Sequence, residues 1–133
     1  MEPTIVNANP WWQAVEINAM TERARIIDFA ELGDGDAPTF RGADYGDVPM
    51  SFILDHSRPG GGPALHRHPY DEVWILDEGE VSFTAGDDTL TAGPGSVVVV
   101  PGGMAHRFRN TGTTPVRMVC IHPRPRMETE WLA

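Results

Sequence analysis

Four side chains of the kinds that bind transition metals lie in two short stretches of the sequence. His66, His68 and Glu72 fall within seven residues, and His106 follows further along the chain. Neutral imidazoles and one carboxylate suit Fe, Mn, Zn, Ni or Co as divalent ions, and an octahedral ion with four such ligands keeps two positions open. We therefore predict one divalent transition metal per subunit, with room for a small-molecule substrate.

The spacing of these residues indicates that they belong to β-strands. Successive side chains of a strand alternate between its faces, so His66 and His68 point the same way and Arg67 points to the other side. His106 opens a second run in which two arginines alternate with apolar positions, and arginines do not belong in an apolar interior. The histidines are therefore predicted to face inward.

Short apolar runs separated by Gly, Pro and Asp dominate the chain from residue 39 onward. The 14 Gly and 12 Pro residues favour frequent turns over long helices. A hairpin turn is predicted at Gly86-Asp87-Asp88, and Glu72 is expected at the entrance of its strand. Central strands with no room for connecting helices imply antiparallel pairing in an all-β sandwich or barrel. One short strand is predicted near Thr39 to Arg41, followed by eight more: Ser51 to Asp55, Ala64 to His68, Glu72 to Asp77, Val81 to Ala85, Thr89 to Ala92, Ser96 to Val100, His106 to Arg109 and Val116 to His122.

The length of 133 residues is that of one domain. Residues 31–133 are predicted to form a single β-barrel domain. Residues 1–30 are predicted to form an N-terminal arm, because residues 1–20 show no sustained period of 2 or 3.6. Residues 1–19 are a candidate upstream-start extension, since Met20 and the residues after it read like the beginning of a chain. Trp11 and Trp12 in the arm, and Trp131, are expected to pack on the barrel or on a partner subunit.

The charge of the chain excludes several partners and chemistries. The formal net charge is −9, and all ten cationic residues are arginines. Nucleic acid and anionic membrane surfaces are therefore poor partners. The absence of lysine also removes Schiff-base catalysis and the phosphate-binding lysine of a P-loop.

Cys120 is the single cysteine of the sequence, so neither an internal disulfide nor a CxxC pair can form. This fits a reducing compartment. No stretch approaches about 18 consecutive apolar residues, and the N-terminus lacks the basic region and apolar core of a signal peptide. We therefore predict a cytoplasmic protein. Cys120 is a poor candidate nucleophile, because no paired base is identifiable.

The four candidate ligands lie within two longer patterns. The first is Gly60-x5-His66-x-His68-x3-Glu72-x6-Gly79, and the second is Gly95-x5-Pro101-x-Gly103-x2-His106-x3-Asn110. Both patterns resemble the signature motifs of the cupin superfamily, and the 15 residues between them are typical of small bacterial cupins. Over roughly residues 40 to 123, this resemblance implies an antiparallel jelly-roll β-barrel with His66, His68, Glu72 and His106 as metal ligands. By the same analogy we expect a homodimer.

Other residues are candidates for the space around the ion. His56 has the same parity as Phe52 and Leu54, so it is a candidate hydrogen-bond donor or general base, although a partly exposed histidine at a strand end explains it more simply. His122 is a weaker candidate than His56. Ordinary core packing explains most of the predicted apolar pocket equally well. Its members are Phe52, Leu54, Trp74, Phe83, Met104, Phe108, Met118 and Cys120.

Three classes of function fit these residues. The first is a metal-dependent oxidoreductase of dioxygenase type, in which Fe(II) binds O2 and a chelating enol or phenol. The second is a redox-neutral enzyme that uses Zn(II) or Mn(II) as a Lewis acid for isomerisation, cyclisation, decarboxylation or lyase chemistry, with His56 as a proton carrier. The third is a non-enzymatic module that binds or senses a small ligand.

Overall fold

Ten β-strands are the main regular elements of the computed structural model, which describes residues 23–132. All nine predicted strands are present, and the hairpin around Gly86 is formed by β5 and β6. The remaining elements are two single-turn 3₁₀ helices, Phe29–Leu32 and Gly42–Tyr45. The strands are β1 (Thr39–Arg41), β2 (Ser51–Asp55), β3 (His66–Arg67), β4 (Glu72–Glu78), β5 (Val81–Ala85), β6 (Asp88–Ala92), β7 (Ser96–Val100), β8 (His106–Asn110), β9 (Arg117–His122) and β10 (Glu130–Trp131).

The strands form two five-stranded antiparallel sheets. The first sheet has the order β1-β2-β9-β4-β7, and the second has the order β10-β3-β8-β5-β6. Neighbours in each sheet are distant in sequence at most positions, which is how an antiparallel jelly roll is wound. The all-β fold predicted from the strand pattern is therefore confirmed.

The core lies between the two sheets and contains side chains from both. Trp74 of the first sheet packs edge-on against Phe83 and Phe108 of the second, with ring centroids 5.4 Å and 5.3 Å apart. Such edge-to-face pairs are the arrangement that aromatic quadrupoles favour. The other buried apolar members of this cluster are Leu76, Val81, Ala92, Val100, Val116, Met118 and Cys120.

Asn110 connects the loops at one end of the two sheets. Its buried side-chain amide donates to the carbonyls of Ser57 and Thr114, at 2.9 Å and 2.8 Å, and its Oδ1 accepts from the amide of Gly112. The backbone carbonyl of Asn110 accepts a hydrogen bond from the amide of Gly60, and its backbone amide donates to the carbonyl of Gly61. Asn110 therefore fixes the loop that leads from β2 to His66 and His68.

The segment after β9 returns along the edge of the second sheet. β9 ends at His122, before the first of two prolines, as expected because proline cannot continue a central strand. The chain then forms β10, which pairs with β3 in the register Glu130↔Arg67 and Trp131↔His66. The Trp131 ring lies 5.0 Å from the His66 ring, so Trp131 packs on the second sheet of its own chain.

The outward face of the first sheet carries aliphatic side chains. Val97 and Val99 of β7 are 65% and 62% exposed, and Ile75 of the neighbouring β4 is 42% exposed. On β2, Phe52 also lies on this side and stacks on Phe40 of β1, with centroids 4.8 Å apart.

Most of the predicted N-terminal arm, including Trp11 and Trp12, lies outside the described residues. Within residues 23–32, only the turn Phe29–Leu32 is regular. The side chain of Arg25 bonds the carbonyl of Tyr45 at 2.7 Å. Over residues 23–132, no helix has the length and apolarity needed to cross a membrane.

Candidate metal centre

Three strands bring the four predicted ligands together. β3 begins at His66, β4 begins at Glu72 and β8 begins at His106, and the antiparallel register places His66 directly opposite His106. His68 follows β3 on the same face as His66, whereas Arg67 between them is exposed. Each of the four offers one ligand atom, these atoms all lie within 4.8 Å of one another, and all four residues are buried. They could hold a metal ion.

The outer nitrogen of each of these histidines faces a backbone carbonyl. His66 Nδ1 lies 2.7 Å from the carbonyl of Ala64, His68 Nδ1 lies 2.7 Å from that of Glu128, and His106 Nδ1 lies 2.8 Å from that of Met104. A carbonyl oxygen only accepts, so each Nδ1 carries a hydrogen and donates it. The Nε2 atom of each neutral imidazole is therefore left with a lone pair, which is how metal-binding histidines are held.

Glu72 is the anionic centre of this group. Its Oε1 lies 3.0 Å from His106 Nε2 and 3.4 Å from His68 Nε2. Burial alone would raise the pKa of Glu72, but the surrounding histidines outweigh burial and hold its pKa well below the ordinary range. Glu72 is therefore a carboxylate at neutral pH, as a metal ligand must be.

The donor set fits a divalent cation. A nitrogen lone pair and a carboxylate oxygen repel each other unless a proton or a cation lies between them. His68 Nε2 is fully buried and finds no hydrogen-bond partner in the described part of the chain. Burial lowers the pKa of His66, which keeps its imidazole neutral and available as a ligand. The pKa of His68 is raised, because the contacts of its ring with Glu72 and Glu128 outweigh its burial.

A cavity of about 400 Å³ opens beside these ligands. Its walls come from both sheets and from the segment after β9. The polar groups that line it, apart from His66, His68 and Glu72, include Arg41, Asp55 and His122. Its apolar and aromatic lining includes Ile53, Trp74, Phe108, Cys120, Met127 and Trp131.

The comparisons with known proteins agree with this geometry. A sequence model of the Cupin domain family matches residues 54–122, a stretch that contains all four ligands. The chain belongs to this family. Among curated proteins, this cupin is 32% identical to Protein SchB of Streptomyces halstedii over 122 residues, covering 80% of this chain and 86% of that protein. It is 30% identical to Polyketide synthase CurC of Streptomyces cyaneus over 108 residues, covering 73% of this chain and 68% of that protein.

Solved structures share the fold at lower sequence identity. Oxalate decarboxylase from Bacillus subtilis superposes with a TM-score of 0.65 at 21% identity, and the matched region covers 76% of this cupin but only 29% of that chain. A conserved protein with a double-stranded β-helix domain from Klebsiella pneumoniae has a TM-score of 0.61 at 21% identity, covering 83% of this cupin and 96% of that chain. These likenesses support the double-stranded β-helix fold.

The structure divides the predicted pocket residues of this cupin into three groups. Trp74, Phe108 and Cys120 line the cavity. Phe83 and Met118 are buried in the core, and Met104 packs against it. Phe52 and Leu54 do not line the cavity, because β2 directs its odd-numbered positions, Ile53 and Asp55, toward it. The parity predicted for β2 is thus reversed.

This reversal also removes His56 from the cavity. His56 lines a separate surface depression together with Phe29, Glu78 and Arg117. It is therefore not placed to donate to a metal ligand or to exchange a proton with a molecule in the cavity. Its neighbour Asp55, which was not among the predicted site residues, lines the cavity together with three of the ligands.

Asp55 is a buried carboxyl group at the cavity wall. It is 7% exposed, and its Oδ1 accepts a hydrogen bond from the backbone amide of Ser57 at 2.8 Å. Burial raises the pKa of Asp55, and its hydrogen bonds with Ser57 compensate only in part. A raised pKa makes the protonated form of a carboxyl group easier to reach, which suits a group that is to accept and release a proton.

Replacing Asp55 with asparagine is expected to stabilise the metal-free protein at neutral and alkaline pH. Because the folded-state pKa is raised, the contribution of Asp55 to stability is fully present below the unfolded pKa and is lost as pH rises through the folded pKa. Asparagine resembles the protonated acid and keeps an acceptor for the Ser57 amide. The free energy of unfolding, measured by urea titration at several pH values, should therefore fall less steeply with rising pH in Asp55→Asn.

The matched control for this experiment is Asp77→Asn, which changes an exposed aspartate at the end of β4. It should leave the pH dependence of stability unchanged. Equal pH profiles for the wild type and Asp55→Asn would contradict the raised pKa.

Proposed function

We propose that this cupin is a metal-dependent enzyme whose substrate has a chelating polar end and an aromatic body. The observation that carries the proposal is the convergence of three imidazole lone pairs and the Glu72 carboxylate at the wall of an aromatic-lined cavity. Pockets that combine an apolar lining with a few convergent polar groups are the usual places for small-molecule chemistry.

The cavity wall supports an aromatic substrate. Trp74 and Phe108 offer ring faces and edges beside the ligands, and Trp131, largely exposed, lies at the rim. A polycyclic or polyketide-like phenol would pack on these rings and direct an enol or phenol oxygen to the ion. The relative named Polyketide synthase CurC supports this class of substrate.

Different groups at the cavity have different roles toward such a substrate. When bound, the ion supplies a Lewis acid for the enol or phenol oxygen and, if it is iron, the electrons for O2 chemistry. Trp74 lines the cavity with its ring, and its buried Nε1–H has no hydrogen-bond acceptor within residues 23–132. Asp55 exchanges a proton with the substrate from the cavity wall.

Two reaction classes follow from this arrangement. The first is a dioxygenase reaction, for which three histidines and one glutamate around Fe(II) provide the ligands. The second is a redox-neutral isomerisation, cyclisation, decarboxylation or lyase reaction at Zn(II) or Mn(II). The buried Asp55 favours this second class, because such reactions move a proton between carbon and oxygen atoms of the substrate.

Anaerobic reconstitution separates the two classes. Metal-free protein is loaded with Fe(II), Mn(II) or Zn(II) and mixed with catechols, flavonols and polyhydroxylated aromatic ketones, with and without O2. O2 uptake that needs both Fe(II) and a substrate supports the dioxygenase, and anaerobic turnover with Zn(II) or Mn(II) supports the redox-neutral enzyme. Ligand-dependent thermal stabilisation without turnover under any condition would contradict an enzyme and favour a binding module.

We also propose that two copies of the chain associate through the outward face of the first sheet. Val97 and Val99 project from β7 beside Ile75, and none of the three is charged. Burying these side chains against a second copy would remove apolar area from water. Light scattering after gel filtration should then give twice the 14.6 kDa mass of the chain.

The variant Val97→Glu/Val99→Glu tests this face. Its like charges are expected to shift the protein to monomers. The control Thr89→Glu/Thr91→Glu adds the same charges to exposed positions of β6 in the second sheet and should leave the dimer intact. A wild type that is monomeric at high concentration would rule out the association.

The proposed compartment is the cytoplasm. Cys120 is a free, buried thiol, and burial raises its pKa well above the ordinary value, so it is protonated and unreactive. Such a thiol is compatible with a reducing environment. Cell fractionation with an antibody against the protein checks this assignment.

A further inference from the structure

A fourth buried histidine contacts the metal centre and differs from the three ligand histidines. His122, at the end of β9, is 2% exposed, and its Nε2 lies 3.1 Å from Glu72 Oε2. The ligand histidines each present Nδ1 to a backbone carbonyl. His122 instead presents Nδ1 to the hydroxyl of Tyr70, at 2.7 Å.

The Tyr70 hydroxyl decides which nitrogen of His122 carries the hydrogen. Its oxygen accepts a hydrogen bond from the backbone amide of Glu128 at 3.1 Å. A phenol has one hydrogen to donate, and His122 Nδ1 is the acceptor in reach among the described residues. Because Nδ1 accepts, the hydrogen of the neutral His122 imidazole is on Nε2, on the side of Glu72.

A nitrogen that carries a hydrogen has no lone pair for a metal ion. His122 Nε2–H faces Oε2 of Glu72, whereas His106 and His68 face Oε1 of the same carboxylate. The 3.1 Å contact between His122 Nε2 and Oε2 does not have the geometry of an aligned hydrogen bond. The contact is therefore an attraction between a dipole and a charge in a buried site, where such attractions are strong.

We propose that His122, oriented by Tyr70, is a positioning residue of the metal centre rather than a fifth ligand. It holds Oε2 of Glu72, so that Oε1 is presented to the ion on the side of His68 and His106. This inference rests on the proposed function in one respect, namely that a metal ion binds at this centre. Polar groups that orient a metal ligand from outside the ligand set typically contribute about 10- to 100-fold to metal affinity.

Two substitutions of His122 separate positioning from ligation. The amide of glutamine places an N–H near the position of imidazole Nε2 but offers no nitrogen lone pair, whereas leucine offers neither. We expect His122→Leu to bind one Zn²⁺ per chain about 10- to 100-fold more weakly than the wild type, and His122→Gln to remain within a few-fold of it. Competition with a chromophoric chelator measures both affinities. Equal losses of Zn²⁺ affinity in the two variants would overturn the proposal and would indicate that His122 is a ligand.

Nitrogen NMR of the histidine rings provides a readout that does not depend on metal. In ¹⁵N-labelled, metal-free protein, at a pH well above the ordinary pKa of histidine, His122 is expected as the Nε2–H tautomer. Tyr70→Phe should move the His122 signals toward the other tautomer, whereas the control Tyr45→Phe should not. A His122 found as the Nδ1–H tautomer in the wild type would overturn the proposal.

The two measurements also separate this inference from the proposed function. A wild-type protein that binds no Zn²⁺, Fe²⁺ or Mn²⁺ would remove the metal centre, and with it the proposed enzyme. The nitrogen spectrum still decides the orientation of His122 in that case. Normal zinc affinity combined with the wrong tautomer would overturn only the role of His122.

Discussion

Replacing His106 with alanine is expected to abolish stoichiometric binding of a divalent transition ion. His106 is 1% exposed and supplies one of four convergent ligand atoms, and its Nε2 lies 3.0 Å from Glu72 Oε1. Removing it leaves three ligands, one of which is the Glu72 carboxylate that has lost its nearest partner. We expect the affinity for Zn²⁺ to fall by more than about 100-fold, which exceeds the effect of an outer hydrogen-bond partner. Elemental analysis of protein purified without a metal-affinity column, followed by chelator competition, measures this loss.

His56→Ala is the matched control for this experiment. It also replaces a histidine with alanine, but His56 lines a depression on another part of the surface. Its metal content should equal that of the wild type. Full occupancy in His106→Ala would contradict the assignment of the site, and a loss of metal in both variants would show that the effect is not specific to the ligand.

Replacing Gly62 with alanine is expected to destabilise the fold by at least about 3 kcal/mol. Gly62 has a φ of +152°, and a Cβ atom built on it would overlap the carbonyl oxygen of Phe108. That oxygen belongs to the backbone of β8, where Phe108 pairs with Phe83 of β5. The backbone of Gly60 and Gly61 is also bonded to Asn110, so the loop cannot move away. Chemical denaturation monitored by tryptophan fluorescence measures the change.

Gly93→Ala is the control for this substitution. A Cβ atom added at Gly93 meets no other atom within 4 Å, and the conformation there is not left-handed. Its free energy of unfolding should change by less than about 0.5 kcal/mol, as for most surface substitutions. A Gly62→Ala variant as stable as Gly93→Ala would contradict the close approach of the loop to β8.

The strands and the ligand group were predictable because their signals are local. Alternation within a strand placed His66 and His68 on one side of Arg67, and the arginines of β8 indicated which face of that strand is inward. Glu72 was expected at a strand entrance, and β4 begins there. Each of these inferences needs only a few neighbouring residues. The resemblance to cupins then indicated that the ligands of the two motifs belong to one metal site.

The orientation of β2 was not predictable from alternation. Phe52, Ile53 and Leu54 are consecutive apolar residues, so neither face of the strand is distinguished by polarity. Phe52 stacks on Phe40 outside the core, and Ile53 faces the cavity. Which face of β2 is directed toward the cavity depends on the pairing of β2 with β9. His56 was therefore assigned to the wrong face, and Asp55 was missed.

The role of His122 depends on contacts between distant parts of the sequence. Tyr70 and Glu72 reach it only because β4 pairs with β9 in a register that places Val73 opposite Ile121. The two partners in the Tyr70–His122 contact are 52 residues apart. One signal was available in the sequence: His122 lies on the same face of its strand as Met118 and Cys120, two residues that are buried.

The position of β10 in chain order has a consequence for when the protein acquires its ion. β10 is the last of the ten strands, yet it pairs with β3, and the carbonyl of Glu128 just before it fixes the ring of His68. A nascent chain emerges from the ribosome with its N-terminal parts first, so all four ligands are exposed to the cell before this support arrives. The centre reaches its final geometry only once β10 has emerged and paired with β3. The metal it retains is then set by the ions that the chain meets after β10 has emerged, rather than by those present when its ligands first emerge.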